Sequence, residues 1–475
     1  MTLDKGLAYA PATELLGLIG TKQISPLELT ELFFNRIDTL DTRLNSFILL
    51  TRDSAIEAAK KAEAAVVRGD KLGPLHGLPI AIKDTQNTGG VRTTMGSLLF
   101  KDRVPERDAA VVERVKGAGA IVMGKTNVPE FGMVGTCENR LGEPGRNPWD
   151  TDRTPGGSSG GAAAAVAACL CPVATGSDGG GSIRIPANFC GVYGIKPTQG
   201  RVSGYTGEDG LRMPYIFSQN GPIARTVLDA ATLLQVLAGH DRRDPVSIRE
   251  APPDFVAAVD GDITSLRVAW SPDFGFADVD PDVLEVTSSA ARVFEDFGCR
   301  VEESNLAMDP PYDAFGPVQA ADAYATLGRY LETDVDRLTD FARFFLELGA
   351  RVTAAEYART LGRIETLRAR IADLFQDYDL LLSPTACFPA FLNEEFPGSI
   401  RGESEYPEQY WNGAFTLPIN VVGHPAATVP AGFSSEGLPI GLHIVGRWGD
   451  EETVLAASAA FERARPWIQH RPTVS

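Results

Sequence analysis

Apolar positions recur at helical spacing near the start of the chain. Ser25 to Glu28 reads as a capping box with Pro26 at the first helical position, and Leu29, Phe33 and Ile37 then mark one face. A second helix is expected over "RDSAIEAAKKAEAAVVRG" (52–69), alanine-rich and polar on one side. Residues 1–70 therefore read as helical. Between 75 and 225 short apolar runs alternate with Gly- and Ser-rich loops and small helices, the pattern of an α/β sheet. The most apolar helix is expected over "AAAAVAACLCPVA" (162–174), and a helix over 225–240 is capped by Thr226. Linkers rich in Pro and Asp around 243–263 and 271–282 precede a helical region, 282–378, with little glycine. Strands return over 379–475, first in "DLLLSPT", then in "AATVPAGFSSEGLPIGLHIVG" as a hairpin turning near 434–437. A final helix spans about 450–464. Early and late strands are expected to share one sheet, with 282–378 as an insertion or cap.

One stretch tests a nucleotide-binding reading. In "GAGAIVMGKTNVPEFG" (117–132), Gly119, Gly124, Lys125 and Thr126 fit G-x-x-x-x-G-K-[ST]. The phosphate loop must follow a strand and open into a helix. Here a helix comes first, and the residues between the glycines, Ala120 to Met123, are an apolar run that reads as a buried strand. "FVAAVD" (255–260) would pass for a magnesium-binding strand end, but such strings are common. The chemistry must lie elsewhere.

Composition narrows the partners. The 475 residues carry a formal charge of −18, which repels phosphate backbones, so no nucleic acid is expected as a partner. No stretch approaches the ~20 apolar residues of a membrane span, and the first twenty residues lack a secretory signal, so no membrane association and a cytoplasmic location are expected. Six cysteines without paired spacing read as buried free thiols, and five scattered histidines give no metal site. A homodimer is only the commonest default assembly.

Glycine and serine concentrate in "RTPGGSSGGAAAA" (153–165) and "ATGSDGGGSIRIPANFCG" (174–191). Apolar elements flank both closely, which argues against a linker. Gly157, Ser159 and Gly161 fit the G-x-S-x-G elbow, but Pro148 and Pro155 exclude the central strand that the elbow requires. Ser182 follows Gly179, Gly180 and Gly181, whose N–H groups would converge on one point as an oxyanion hole. No histidine lies nearby to act as base. Lys83 ends the apolar run 78–82, where desolvation would lower its pKa and make it a neutral base. The residues alone leave the alternative open that Lys83 pairs with Asp84 at the surface.

Taken together, "LPIAIKD", "GKTNVPEFG", "NPWDTDRTPGGSSGG", "GSDGGGSIRIPANFCGVYGIKPTQGRVS" and "GHPAATVPAGFSSEGLPIGLHIVGR" resemble the amidase signature family, in order and spacing. The resemblance covers nearly the whole chain and is weakest over 240–375. It implies an α/β fold: a single large domain with a central twisted mixed β-sheet covered by helices on both faces. It implies catalytic residues Lys83, Ser158 and Ser182, with a cis bond between Gly157 and Ser158. Lys83 would draw a proton from Ser158, and Ser158 one from Ser182, which attacks the carbonyl to form an acyl-enzyme. The backbone amides of Gly179, Gly180, Gly181 and Ser182 would hold the oxyanion. Asp178 and Arg184 would hold the loop together, Ser177 would hydrogen-bond within the relay, and Gly132, Met133 and Ile185 would contact substrate. No cofactor or metal is implied.

The family includes free-standing amidases, a glutaminase subunit that serves a tRNA-bound glutamyl group, lipid amide hydrolases and hydrolases of urea derivatives. The glutaminase subunit usually has Gln at the position of Ile185, and it associates with tRNA, which the negative charge here disfavours. Phe131, Met133, Ile185, Tyr205, Met213, Tyr215, Phe217, Trp411, Phe415 and Ile419 are expected near the cleft and favour a small hydrophobic or aryl amide. Esters and carbamates present the same carbonyl to attack. A non-catalytic protein using the glycine loops as an anion nest is the alternative outside enzymology.

Overall fold

Among the described residues, eleven strands join in one mixed sheet. The computed structural model describes residues 5–207, 217–310, 312–393, 395 and 413–475. In chain order the strands are β1 (Phe47–Leu50), β2 (Pro79–Lys83), β3 (Ile121–Thr126), β4 (Val173–Asp178), β5 (Tyr193–Lys196), β6 (Gln219–Ala224), β7 (Arg267–Trp270), β8 (Arg300–Glu303), β9 (Leu380–Pro384), β10 (Ala426–Phe433) and β11 (Pro439–Gly446). Across the sheet they run β1-β3-β2-β4-β6-β5-β10-β11-β9-β7-β8. β2 is parallel to β3 and β4, and β7 to β8 and β9. The remaining neighbours are antiparallel. Early and late strands thus lie in the same sheet.

The two-residue period of a strand sends neighbouring side chains to opposite faces, and this sorts the core into two layers. Val268, Leu380, Leu382 and Leu442 join Leu234, Phe294 and Phe461 from the helices Val227–Leu237, Pro281–Asp296 and Glu451–Ala464 on one face. Ala269, Leu381 and Val445 join Phe189, Phe375, Phe415 and Ile419 on the other. Phe415 and Ile419, expected near the cleft, are therefore fully buried core residues. Phe415 packs edge-on against Phe274, 5.1 Å between ring centroids.

Local signals hold where they are strong. Ser25 accepts from the amides of Leu27 and Glu28 and caps the helix Pro26–Leu40, which buries Leu29, Phe33 and Ile37. Thr226 accepts from Asp229 N and caps Val227–Leu237. Elsewhere the structure differs. β1 lies inside the region read as helical; its four residues are each half-buried, so no alternation marks them. The helix expected over 162–174 is Gly160–Ala167; Cys169 then takes φ 53°, Pro172 cannot extend a helix, and Val173 already begins β4. "FVAAVD" starts with a short helix, Phe255–Ala258, not a strand. The region 282–378 contains β8, while the helix Tyr312–Leu327 packs against both Asp340–Arg351 and Ala354–Asp377, a group called the cap below. Among the described residues no helix is long and apolar enough to cross a membrane.

The phosphate-loop pattern resolves into a sheet contact. Gly124 and Lys125 lie within β3, and the buried Lys125 amine donates to Thr88 Oγ1 at 2.9 Å and to the Gln86 carbonyl. A Cβ on Gly124 would lie 2.2 Å from the Leu49 carbonyl oxygen, so glycine is required by the close approach of β1. Gly124→Ala is therefore expected to destabilise the fold by about 2 kcal/mol in denaturant unfolding. A phosphate-binding role would instead show as lost nucleotide affinity with unchanged stability.

Candidate functional site

The site lies where two parallel strands end. β2 delivers Lys83 at its last position, and β4, paired with it through Ala81 and Ala174, delivers Ser177 and Asp178 at its own end. Crevices beyond the carboxyl ends of parallel strands are the usual ligand sites of α/β sheets. Lys83 is fully buried, and three oxygens surround its amine: Ser158 Oγ at 2.8 Å, Ser177 Oγ at 2.9 Å and the Ser177 carbonyl at 3.0 Å. Burial pushes its pKa down to about 7, against the opposing pull of the Asp178 carboxylate. The surface pairing with Asp84 does not form. Asp84 instead accepts from Thr94 N at 3.0 Å, inside the protein.

Ser158 follows a cis peptide bond with Gly157. Its neighbour Ser159 is held away from the amine: Ser159 Oγ donates to the Ser177 carbonyl at 3.2 Å and accepts from Ser177 N at 3.3 Å. Ser159 N also donates to the Ser182 carbonyl at 3.1 Å, which ties the two serine loops together. Ser158 and Ser182 both line one cavity of about 540 Å³. The hydrogen bonds among the described residues link Lys83 to Ser158 and include none from Ser158 to Ser182.

The glycine loop is built around a buried ion pair. Arg184 Nε donates to Asp178 Oδ2 at 2.9 Å and Arg184 Nη2 to Asp178 Oδ1 at 3.0 Å, with both side chains fully buried. Burial alone would push the Asp178 carboxyl up, but the Arg184 guanidinium and the Asn420 amide hold it well below the usual carboxylate range. The same carboxylate accepts from Gly181 N at 2.7 Å and Ile183 N at 3.1 Å, so it bends the loop around itself. Thr416 Oγ1 donates to the Gly180 carbonyl at 2.8 Å. Asp178 and Arg184 thus bond to each other and, through the carboxylate, to the glycine loop. The Gly181 amide, expected to face an oxyanion, is directed instead at Asp178, and the backbone there takes φ 126°. No described residue accepts from the amides of Gly179, Gly180 or Ser182. Arg184 Nη1 also lies 2.9 Å from His443 Nε2; burial first, and then this guanidinium, keep His443 neutral.

Of the residues expected around the substrate, Phe131, Gly132, Met133, Ile185 and Tyr205 line the cavity. A Cβ on Gly132 would lie 3.2 Å from Ser158 Oγ, so the backbone there runs close against that hydroxyl. Phe217 is buried against Phe315, 5.8 Å between ring centroids. Met213, Tyr215 and Trp411 lie outside the described residues. Sequence reasoning missed the wall supplied by the cap: Tyr312 and Phe315 from Tyr312–Leu327, and Phe341 and Phe345 from Asp340–Arg351. The helical spacing of Phe341 and Phe345 was the available signal, but it marks a core as readily as a pocket.

A family profile described as Amidase matches residues 28–455. The chain belongs to the amidase family. It is 37% identical over 478 residues to an acylamidase of Rhodococcus erythropolis, covering 99% of each chain. It is 39% identical over 491 residues to a subunit of the Glutamyl-tRNA(Gln) amidotransferase of Moorella thermoacetica, covering 98% of this chain and 99% of that one. The crystal structure of a bacterial aryl acylamidase of the amidase signature enzymes superposes with a TM-score of 0.90 at 33% identity, covering 97% of both chains. The protein is thus an amidase signature hydrolase acting on amides, with the expected mixed-sheet fold.

Removing one partner of the Asp178–Arg184 pair leaves a buried charge alone. Arg184→Met in this amidase is expected to cost about 3–5 kcal/mol of stability in urea unfolding. An unchanged midpoint would show that the pair does not hold the loop.

Proposed function

We propose that this amidase cleaves small hydrophobic or aryl amides through an acyl-enzyme on Ser182, with Lys83 as a neutral base acting through Ser158. The observation that carries the reading is the fully buried Lys83 amine, 2.8 Å from Ser158 Oγ, behind a cavity that also holds Ser182. Near neutral pH a desolvated amine gives up its proton readily. It then donates two N–H groups to the two Ser177 oxygens and turns its lone pair to the Ser158 hydroxyl. The proton of Ser182 passes to Ser158 as the proton of Ser158 passes to Lys83. The Ser182 oxygen bonds to the amide carbon, and the amides of Gly179, Gly180 and Ser182 stabilise the oxyanion. The relay runs backwards to protonate the leaving nitrogen as the C–N bond breaks. Water then takes the place of the amine and releases the acid. Esters and carbamates fit the same steps.

The walls support the substrate class. Phe131, Met133, Ile185, Phe315, Phe341 and Phe345 give the cavity a mainly apolar lining. The second reading is the glutaminase role, favoured by the likeness to the Moorella amidotransferase. The polar substrate of that reaction carries its own charges. Arg243 is the one cation lining the cavity among the described residues, and Asp241 and Glu113 already pair with it. Ile185 offers no hydrogen bond. The acylamidase reading is therefore preferred, and glutaminase activity that depends on a second protein would reverse the preference.

A fluorophosphonate probe is expected to label the protein and to lose all labelling in Ser182→Ala. Lys83→Ala is expected to slow acylation by about 10³-fold, and Ser159→Ala far less. Equal losses in the two variants would mean that the wrong serine of the pair has been chosen. Below a lysine pKa of about 7 the amine is protonated and cannot accept from Ser158, so acylation should fall on the acid side and level off above it. A rate that stays constant from about pH 5 to about pH 8, where such a base must titrate, would contradict this assignment.

A further inference from the structure

Glu130 has no part in the relay, yet it is 4% exposed and both its carboxylate oxygens are engaged. Oε1 accepts from Ser97 Oγ at 2.5 Å. Oε2 accepts from both Thr339 N and Thr339 Oγ1, each at 2.7 Å. A carboxylate held by three donors in an apolar setting specifies the positions of all three. What those positions carry makes the arrangement informative. Thr339 is the N-cap of the helix Asp340–Arg351, its Oγ1 accepting from Ala342 N at 3.2 Å. That helix brings Phe341 and Phe345 to the cavity, stacked with 6.0 Å between ring centroids. Ser97 caps the turn Leu98–Phe100, and Phe100 meets Phe131 edge-on at 5.9 Å.

Glu130 itself opens the turn Glu130–Gly132, whose last residue runs against Ser158. The turn is held in an unusual backbone state, with φ 54° at Phe131, and Phe131 N donates to the Met95 carbonyl at 2.8 Å. A non-glycine residue at such a φ persists only where its surroundings fix it. One side chain therefore joins the cap helix that walls the cavity to the backbone that runs beside Ser158.

We propose that Glu130 is a positioning residue that sets the selectivity of this amidase for bulky apolar amides by fixing the cap helix against the Glu130–Gly132 turn. The proposal rests on the reading of the cavity as an apolar amide site. Other bonds still fasten the cap when Glu130 is changed: Arg140 Nη1 donates to the Leu338 carbonyl at 2.9 Å, and Arg337 donates to the Leu98 carbonyl. The loss is thus expected in alignment of the wall rather than in the fold. A glutamine would keep an oxygen for Thr339 and offer its amide to Ser97, so Glu130→Gln serves as the conservative rescue.

The test compares Glu130→Ala, Glu130→Gln and Thr339→Val with the unchanged enzyme on an aryl anilide and on propionamide, alongside hydrogen exchange. Glu130→Ala should lower kcat/KM for the anilide about tenfold, chiefly through KM, while propionamide changes little. Amides in the first turns of Asp340–Arg351 should exchange faster, and those of β2 and β4 should not. Thr339→Val should show the same pattern more weakly, and Glu130→Gln should stay near the unchanged enzyme. Unchanged exchange in both disrupting variants, or equal losses on the two amides, would overturn the proposal. If the unchanged enzyme shows no preference for the anilide, the substrate reading fails, while exchange in the cap helix still decides whether Glu130 holds it.

Discussion

The site depends on keeping one amine away from water. Lys83 ends a strand whose five residues are all buried, and the oxygens around its amine are two hydroxyls and a carbonyl. The Asp178 carboxylate draws the amine toward the charged form, but burial is the larger effect, and that carboxylate is itself paired with Arg184. Desolvation wins, and the lysine becomes able to exchange a proton near neutral pH. Were the pocket wet, the same residues would make an ordinary ammonium and a pair of inert alcohols.

The buried pair beside it has a different task. Two opposite charges taken out of water contribute little net stability, and a well-packed apolar pair would often do as well. What Asp178 and Arg184 provide is geometry. The carboxylate collects the amides of Gly181 and Ile183, and the guanidinium reaches Thr416 and Asn420 from the far end of the chain. A loop of three glycines has too many conformations to hold donors in place alone. The ion pair selects one, and in doing so it takes up the Gly181 amide, while Gly179, Gly180 and Ser182 line the cavity.

Much of this was legible in the chain. Lys83 at the end of an apolar run, Thr226 and Ser25 as caps, and the glycine-serine loops are all local patterns, and each holds because its cause lies within a few residues. The places where the reading fell short share a different cause. Nothing near Phe415 or Ile419 in the sequence says which face of the sheet their segment meets, so core and cleft looked alike. β1 is too short and too evenly half-buried to show a period. The aromatic wall of Phe315, Phe341 and Phe345 comes from a region with the weakest resemblance, and it reaches the site only through long-range packing. The direction of the Gly181 amide depends on the path of the glycine backbone around Asp178, which composition does not encode.

In the proposed mechanism the Lys83 side chain is uncharged when the enzyme works. Heteronuclear NMR of the enzyme, with the Lys83 Nζ signal assigned through Lys83→Arg, follows that protonation directly. A neutral Lys83 base requires the signal to titrate near pH 7, far below the ordinary lysine value. A side chain that stays charged up to the ordinary range of about 10.4 would contradict it, whatever the fold and the family.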